Sequence, residues 1–419
     1  MTKSNENLEA ILAARENRML RQKRLLAHWG KPLVCFTMNI AGPVKNSALI
    51  RLAFSAGLER LDGELGQPLH RDIRTTEDTG CEALLVYDMP AAVLKERCVA
   101  LDSESPIGRL YDLDVLEVSG EKLSRAVPRT CLVCGGPVSL CARSRAHGLD
   151  AVQTATQKLL RDFAADYLAG AAADALRREV HLTPKPGLVD EENSGAHDDM
   201  DLPMFEKSAA ALEPFFADFV TLGMNDAAAD ALQRTGLAAE QAMFAATGGV
   251  NTHKGAIYLF GLLLAALGGV LIDGGDAWKK AAGFAAALPV PQGTHGSGVR
   301  SVCGGVTQEA MAGFPHARQM AQMLTEESEL SVLLWGMAHI DDSTLVYRGG
   351  REGLRFVQCR AAEILTASEE RHSVLTRELD RELIVRHLSP GGSADLLALA
   401  MFWQKAERLL HGREEIVSE

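Results

Sequence analysis

The stretch Ala245 to Gly255 reads A-A-T-G-G-V-N-T-H-K-G. It sets two adjacent glycines, Gly248 and Gly249, beside Asn251, Thr252, His253 and Lys254, between two apolar runs of helical spacing. A glycine lets a backbone N–H approach a phosphate with no Cβ in the way. Lys254 and His253 supply positive charge where a following helix would present the positive end of its dipole. The pattern predicts a polyanion site. The same half of the chain holds three more polar islands: H-L-T-P-K-P-G-L-V-D (His181 to Asp190), G-A-H-D-D-M (Gly195 to Met200) and L-S-P-G-G-S-A-D (Leu388 to Asp395). Structural loops rarely need Gly, Asn, Thr, His and Lys together, so the islands read jointly as one active site. Taken singly, each residue also has a plain structural reading: a solvated Lys or Asp, a satisfied core histidine, or a proline-stiffened helix exit at Pro184 and Pro186. None of the islands is a Walker A loop or a G-x-G-x-x-G dinucleotide fingerprint.

The first 150 residues carry a different chemistry. In G-R-L-Y-D-L-D-V (Gly108 to Val115), Asp112 and Asp114 share a face if Leu110 to Val118 is a strand, because side chains alternate with period two. Two carboxylates so placed can share Mg²⁺ with substrate phosphates, or simply form a solvated strand face. Cys131, Cys134, Cys141 and His147 have the spacing C-x₂-C-x₆-C-x₅-H, with Gly135-Gly136-Pro137 as a knuckle. Four such ligands suit a closed tetrahedral Zn²⁺ site; the alternative is three ordinary thiols near an exposed histidine. Arg129, Arg143 and Arg145 flank the cluster and could meet a diphosphate, an acidic protein or only water.

The elements that must position these groups differ between the two parts. Residues 1 to 29 have helical spacing and end at Gly30 and Pro32; Leu33 to Ile40 reads as a strand, Asn46 to Leu58 as a helix, and Ala83 to Tyr87 and Leu110 to Val118 as further strands. From about Asp150 only long helical stretches follow: Ala151 to Val180, Met204 to Leu222, Gly255 to Leu267, Glu329 to Met337, Val374 to His387 and Ala394 to His411. The expectation is two domains, an α+β domain over 1–150 and an all-α domain over 151–419. A composition of 47% hydrophobic but only 5% aromatic residues favours packed helices in the second part.

Of the net charge of -12, the first 150 residues contribute +1, from 20 Lys and Arg against 19 Asp and Glu, leaving -13 for the rest. The acidic part argues against nucleic acid as a partner and suits metal-chelated phosphates. A charged N-terminus without a secretory core, and no run of about eighteen apolar residues free of a polar break, predict a cytoplasmic protein that does not span a membrane. The eight cysteines are then reduced thiols or metal ligands.

The four C-terminal islands, in their order, resemble the triphosphoribosyl-dephospho-CoA synthase family over roughly Asp166 to His411. The stretches P-L-V-C-F-T-M-N-I-A-G-P-V-K-N-S (Pro32 to Ser47) and S-R-A-V-P-R-T-C-L-V-C (Ser124 to Cys134), with P-I-G-R-L, resemble the apo-citrate lyase phosphoribosyl-dephospho-CoA transferase family over residues 8 to 160; where that family usually has a His before P-I-G-R-L, this chain has Ser105. The first resemblance implies condensation of ATP, as substrate, with 3′-dephospho-CoA, whose ribose 2′-hydroxyl displaces adenine. The second implies transfer of the phosphoribosyl-dephospho-CoA unit to a serine of the citrate lyase acyl carrier protein (the gamma subunit), with loss of pyrophosphate. Such a substitution needs a base, help for the leaving adenine and a triphosphate clamp. For the clamp the candidates are Lys185, Asn251, His253, Lys254, the amides of Gly248 and Gly249, and Arg348 with Gly349 and Gly350. For metal or base work they are Asp190, Glu191, Asp198, Asp199, Asp341 and Asp342. The implied protein is a bifunctional transferase. Its rivals are a zinc-stabilised docking module joined to the synthase, and a synthase half that hydrolyses nucleotides.

Overall fold

The structure is a computed structural model and describes residues 3–289 and 304–411. The chain divides into two compact units, Met1–Ala164 with Arg408–Glu419, and Ala165–Glu407. The division falls inside one long helix, Leu149–His181.

In the first unit the elements run α1 (Lys3–Trp29), β1 (Leu33–Met38), α2 (Ala48–Leu65), β2 (His70–Thr76), β3 (Gly80–Val86), α3 (Ala91–Glu104), a 3-10 turn (Pro106–Leu110), β4 (Tyr111–Leu116) and α4 (Val138–Ser144). The four strands form an antiparallel sheet in the order β2-β3-β1-β4. Alternation along β1 gives each face its own partner. Phe36 points to α2, stacking on Phe54 at 4.7 Å and meeting Tyr111 edge-on at 5.2 Å. A Cβ on Gly57 of α2 would come within 2.6 Å of the Phe36 ring, so a glycine is what lets this helix lie against the strand. On the opposite face, Leu33, Cys35, Leu84 and Val86 pack with Leu25, Leu26 and Trp29 of α1. Further along, α1 is held by charge: Arg21 donates to Asp72 at 2.7 Å and pairs with Glu82, which also accepts from Arg18 at 2.8 Å.

The strand β2 was not expected from its sequence, H-R-D-I-R-T-T. It has one apolar residue, Ile73, and exists because its backbone pairs with β3 from His70↔Val86 to Thr76↔Gly80; tertiary pairing outweighs local propensity at an edge strand.

The second unit is helical throughout its described residues. After the end of α5 (Leu149–His181) come α6 (Leu202–Met224), α7 (Ala229–Ala246), α8 (Lys254–Asp273), α9 (Ala277–Ala287), α10 (Gly305–Met311), α11 (Pro315–Met323), α12 (Glu329–His339), α13 (Ser343–Leu365), α14 (Glu369–Arg386) and α15 (Gly391–His411). The expectation that no apolar stretch reaches spanning length fails at α8. Its charge-free run from Gly255 to Ile272 gives a mean hydropathy of 2.3. The helix is the core of the unit, with 78% of that window buried, as expected of a helix that is hydrophobic all round. It reaches α6 through glycines. A Cβ on Gly223 would lie 1.8 Å from the Ala265 carbonyl oxygen, one on Gly268 2.1 Å from that of Val220, and Gly261 sits under the Phe219 ring. Around α8, Phe260 contacts Phe216 at 5.5 Å and Phe402 at 5.6 Å, and Trp278 contacts Trp403 at 4.5 Å.

Because the obstacle at Gly268 is backbone, Gly268→Ala should destabilise this unit by roughly 1–3 kcal/mol through overpacking. Gly283→Ala in α9, where an added Cβ meets nothing, should instead stabilise by about 0.5–1 kcal/mol through helix propensity. Urea unfolding midpoints of the two variants test this, and equal shifts would refute the close α6/α8 approach.

Candidate functional site

Within the second unit, the loops after α5 and before α15 and the starts of α8 and α13 line a cavity of about 660 Å³, within the usual range for a small-molecule site. The first loop leaves α5. Asp190 accepts from the backbone N–H groups of Lys185 (2.9 Å), Glu192 (2.8 Å) and Asn193 (3.0 Å), folding the loop back on itself. Asp380 of α14 accepts from Gly187 N–H at 2.9 Å and from the Asn193 amide at 3.0 Å, which fixes the loop from outside. This sets the buried Lys185 ammonium 2.6 Å from Glu179, and both line the cavity.

The second loop joins α14 to α15 and is tied to the start of α13 by a single carboxylate. Asp342 caps α13 by accepting from Thr344 N–H at 2.8 Å and accepts from Ser393 N–H at 2.9 Å in the first turn of α15. A Cβ on Gly392 would lie 3.1 Å from this carboxylate. Burial pushes the Asp342 carboxyl above its ordinary range.

Between these loops lies an oriented chain. Arg348 donates to the Ala196 carbonyl at 2.9 Å and contacts His197 Nδ1 at 3.0 Å, while His197 Nε2 meets Ser389 Oγ at 2.9 Å. A guanidinium can only donate, so Nδ1 is the acceptor and Nε2–H the donor to Ser389. Burial, and then the Arg348 charge, lower the His197 pKa to about 4.

At the start of α8, His253 is buried with its Nδ1 2.7 Å from Ser208 Oγ, and Thr252 donates its hydroxyl to the same Ser208 oxygen at 2.8 Å. With Thr252 supplying one proton, the Ser208 hydroxyl is free to donate to Nδ1, which leaves the proton of the neutral ring on Nε2. That Nε2 is buried without a hydrogen-bond partner. Burial, and then the Lys185 charge, lower the His253 pKa to about 3. Lys254, next in sequence, pairs with Glu240 at 2.7 Å, and both line the cavity.

Asp395, one turn into α15, also lines the cavity. Its carboxylate lies where a Cβ on Gly255 would be, 2.1 Å from Oδ2, and so it covers the first turn of α8. No hydrogen bond or ion pair reaches it from the described residues. Burial, then Glu179 and Asp342, hold its pKa well above the ordinary carboxylate value.

Of the residues expected from sequence, Lys185, Asp199, Asn251, His253, Lys254 and Arg348 meet around this cavity. The others lie elsewhere. Gly248 and Gly249, with φ of 67° and 94°, end α7, and the Gly249 N–H bonds to the Phe244 carbonyl at 2.8 Å. That is a Schellman cap, so this amide serves the helix end and not a phosphate. Asp190 and Asp342 hold loops, as described above. Asp198 and Asp341 are exposed and do not line the cavity, and Glu191 accepts from His181 at 2.7 Å. Gly350, at φ 63° and ψ -166°, breaks α13 just after Arg348. Three lining groups, Glu179, Ser389 and Asp395, were not singled out from sequence, although Ser389 and Asp395 stand in an island recognised there.

In the first unit, Asp112 and Asp114 project from the same face of β4, opposite Thr37 and Cys35 of β1, while Tyr111, Leu113 and Val115 are buried on the other. Asp114 pairs with Lys122 at 2.5 Å. No hydrogen bond reaches Asp112 among the described residues, and burial, then the Asp114 charge, raise its pKa. Beside the start of this strand, Arg129 donates to Asp102 at 2.8 Å and to the Tyr111 carbonyl at 2.6 Å, and Arg125 donates to Asp102 at 2.9 Å. The ligand atoms of Cys131, Cys134, Cys141 and His147 all lie within 4.8 Å of one another, so these four could hold a metal ion.

The family model for ATP:dephospho-CoA triphosphoribosyl transferase (CitG) matches residues 165–414. The chain belongs to that family. The model for apo-citrate lyase phosphoribosyl-dephospho-CoA transferase (CitX) matches residues 6–163. Both occur together in Protein CitXG of Haemophilus influenzae, to which the chain is 38% identical over 452 aligned residues covering 96% of each. The 2-(5''-triphosphoribosyl)-3'-dephosphocoenzyme-A synthase of Haemophilus ducreyi is 35% identical and aligns to 65% of this chain and 98% of its own. That of Klebsiella pneumoniae is 38% identical over 60% of this chain and 94% of its own. The CitX-CitG chain is thus a bifunctional transferase, carrying both activities of citrate lyase prosthetic-group synthesis.

The two depressed histidines make stability depend on pH. The unfolded chain takes up protons near the ordinary value of about 6.5, before folded His197 at about 4 or His253 at about 3. Their contribution is complete above about pH 6.5 and declines as the pH falls from there, towards about 4 for His197 and about 3 for His253. Unfolding free energies across this window should fall with pH, and the slope should lessen in His197→Gln and His253→Gln; an unaltered slope in both would show that neither ring is held neutral.

Proposed function

We propose that the cavity of the second unit is where ATP and 3′-dephospho-CoA react. The 2′-hydroxyl oxygen of dephospho-CoA forms a bond to C1 of the ATP ribose while the bond from C1 to adenine breaks. The hydroxyl proton passes to a carboxylate, the electron pair of the broken bond leaves on the adenine nitrogen, and that nitrogen takes up the proton the carboxylate then releases. The observation that carries this reading is the Asp395 carboxylate. It is enclosed, unpartnered among the described residues, raised in pKa and set beside the charged groups of the α8 start. A carboxylate whose pKa is raised holds a proton more tightly once it has taken it, which is what a general base needs. The neutral His253 offers its Nε2–H to a substrate oxygen or nitrogen, and Lys254 and Arg348 supply charge for the phosphates, with Asn251 and Asp199 at the rim. Lys185, neutralised by Glu179, fixes the loop and adds to the field that keeps His253 uncharged.

The same proposal gives the first unit the second step, transfer of the phosphoribosyl-dephospho-CoA unit to a serine of the citrate lyase acyl carrier protein, with pyrophosphate leaving. Asp112 and Asp114 offer the hard oxygen donors that suit Mg²⁺. When bound there, the ion would offset charge on the departing pyrophosphate. We assign both steps to the cytoplasm, in keeping with ATP and dephospho-CoA as the substrates of the first. We read residues 1–150 as the transferase and 151–419 as the synthase.

Lys254→Ala should slow ATP-dependent adenine release roughly tenfold or more, from loss of a charge-assisted contact worth about 1.5–3 kcal/mol. Asp395→Asn should lower kcat further and abolish its acid limb, while Asp395→Glu restores part of it. Unchanged adenine release in folded Asp395→Asn protein would remove the base assignment, and release without dephospho-CoA would reassign the cavity to hydrolysis.

Asp112→Asn or Asp114→Asn should leave adenine release intact while loading of the carrier protein, followed by its mass, falls by orders of magnitude, and the triphosphoribosyl intermediate accumulates. Carrier loading at the parent rate in both variants would return these carboxylates to a solvated strand face.

A further inference from the structure

We propose that Cys131, Cys134, Cys141 and His147 bind one structural Zn²⁺ that holds the segment from Arg129 to His147 in place. The binding of the metal does not depend on the two reactions proposed above, while its effect on carrier loading rests on the transferase reading of the first unit. Zinc–thiolate bonds of about 2.3 Å in a tetrahedron put neighbouring ligand atoms roughly 3.8 Å apart. The four ligand atoms here lie within 4.8 Å of one another, and the Cys134 and Cys141 sulfurs are 3.5 Å apart. Around the first two ligands and just after the second, the backbone forms a tight knuckle: Gly135 N–H bonds to the Cys131 carbonyl at 2.9 Å, Cys131 N–H to the Gly136 carbonyl at 2.6 Å, and Gly135 takes φ of 70°. His147 Nε2 is buried with no hydrogen-bond partner.

A second observation points the same way. The helix α4 between Cys134 and His147 is seven residues long and has no buried residue. Val133, Val138 and Leu140 are exposed at 38%, 38% and 59%. A helix so short is not stable in water by itself, and here apolar burial cannot hold it. A cross-link among the four converging side chains can. A Cys134–Cys141 disulfide would join only two of them and leave His147 Nε2 still without a partner. With four protein ligands the ion has no open position, which is the arrangement of a structural site.

The metal's role follows from what its first ligand adjoins. Thr130 precedes Cys131, its carbonyl accepts from Arg109, and its backbone bridges to Pro137. Arg129 holds Asp102 and the Tyr111 carbonyl, at the head of the strand that carries Asp112 and Asp114. Fixing Cys131 fixes the arginine clamp beside those carboxylates.

The test uses the full-length chain, produced with zinc in the medium and purified without chelator. Elemental analysis should find about one zinc per chain. Cys134→Ser and His147→Ala should lose it, His147→Cys should keep it, and Co²⁺ exchanged into the parent should show the visible absorption of a tetrahedral, thiolate-rich site. Adenine release should persist in all three variants, showing that the second unit is folded, while carrier loading drops in the two that lose the metal. Parent protein that neither contains zinc nor takes up Co²⁺ would overturn the proposal. So would zinc content unchanged in both Cys134→Ser and His147→Ala, or a Cys134–Cys141 disulfide found by peptide mass in the zinc-free parent.

Discussion

A helix without a polar side can be stable in water only if every side is covered, and the second unit is organised around that constraint. Between Gly255 and Ile272, α8 carries no charged side chain and, apart from the Tyr258 hydroxyl, offers neighbouring helices apolar surface, and α6 comes close enough for its backbone to touch. Such a helix can present chemistry only at an end. Its N-terminal end carries His253 and Lys254, the point where the unpaired backbone amides of any helix favour negative charge. The loops after α5 and before α15 converge on that end and supply Lys185 and Ser389, and the first turns of α13 supply Arg348. The cavity is therefore the place where a fully buried element surfaces.

What the sequence revealed and what it hid follow from the same physics. The division into an α+β part and a helical part was legible because hydrophobic periodicity is local. The alternation of β4 was enough to put Asp112 and Asp114 on one face. The polar islands could be recognised by composition, since Gly, Asn, Thr, His and Lys in one loop lack a structural motive. Roles within the islands were not legible. Asp190 and Asp342 have the composition expected of a catalytic carboxylate, yet each has its lone pairs taken up by backbone N–H groups. Asp395 has none taken up among the described residues. That difference depends on which backbone amides fold back to meet each side chain, and no spacing rule carries it. Gly248 and Gly249 show the same limit: a glycine pair that can cradle a phosphate is also the commonest way to end a helix, and only the destination of the Gly249 N–H separates the two.

Charge burial is handled differently in the two units. In the first, Arg21 and Arg129 each serve more than one oxygen, so the guanidiniums act as rigid brackets between elements. In the second, Lys185 is buried against a single carboxylate, an arrangement that contributes little net stability but is costly to break. That pair keeps a full positive charge close to His253 without exposing it to solvent. Burial first, and that charge second, keep the neighbouring imidazole from protonating, which leaves its Nε2–H able to donate.

The run of hydroxyls from Thr252 through Ser208 to His253 has one direction. Each hydroxyl donates its hydrogen bond towards the ring, so the other ring nitrogen, the buried Nε2, is a donor by construction. On the reading proposed for the cavity, a substrate atom that meets Nε2 would be sorted by its hydrogen-bond polarity. A ligand atom with a lone pair is accepted there, while one bearing its own hydrogen would leave two donors face to face in a dry interior, at a cost of the order of 1–3 kcal/mol. The selecting element is set by Ser208, which is fully buried and does not line the cavity, so discrimination between purines that differ only in the placement of a proton would be encoded one layer behind the surface that meets them.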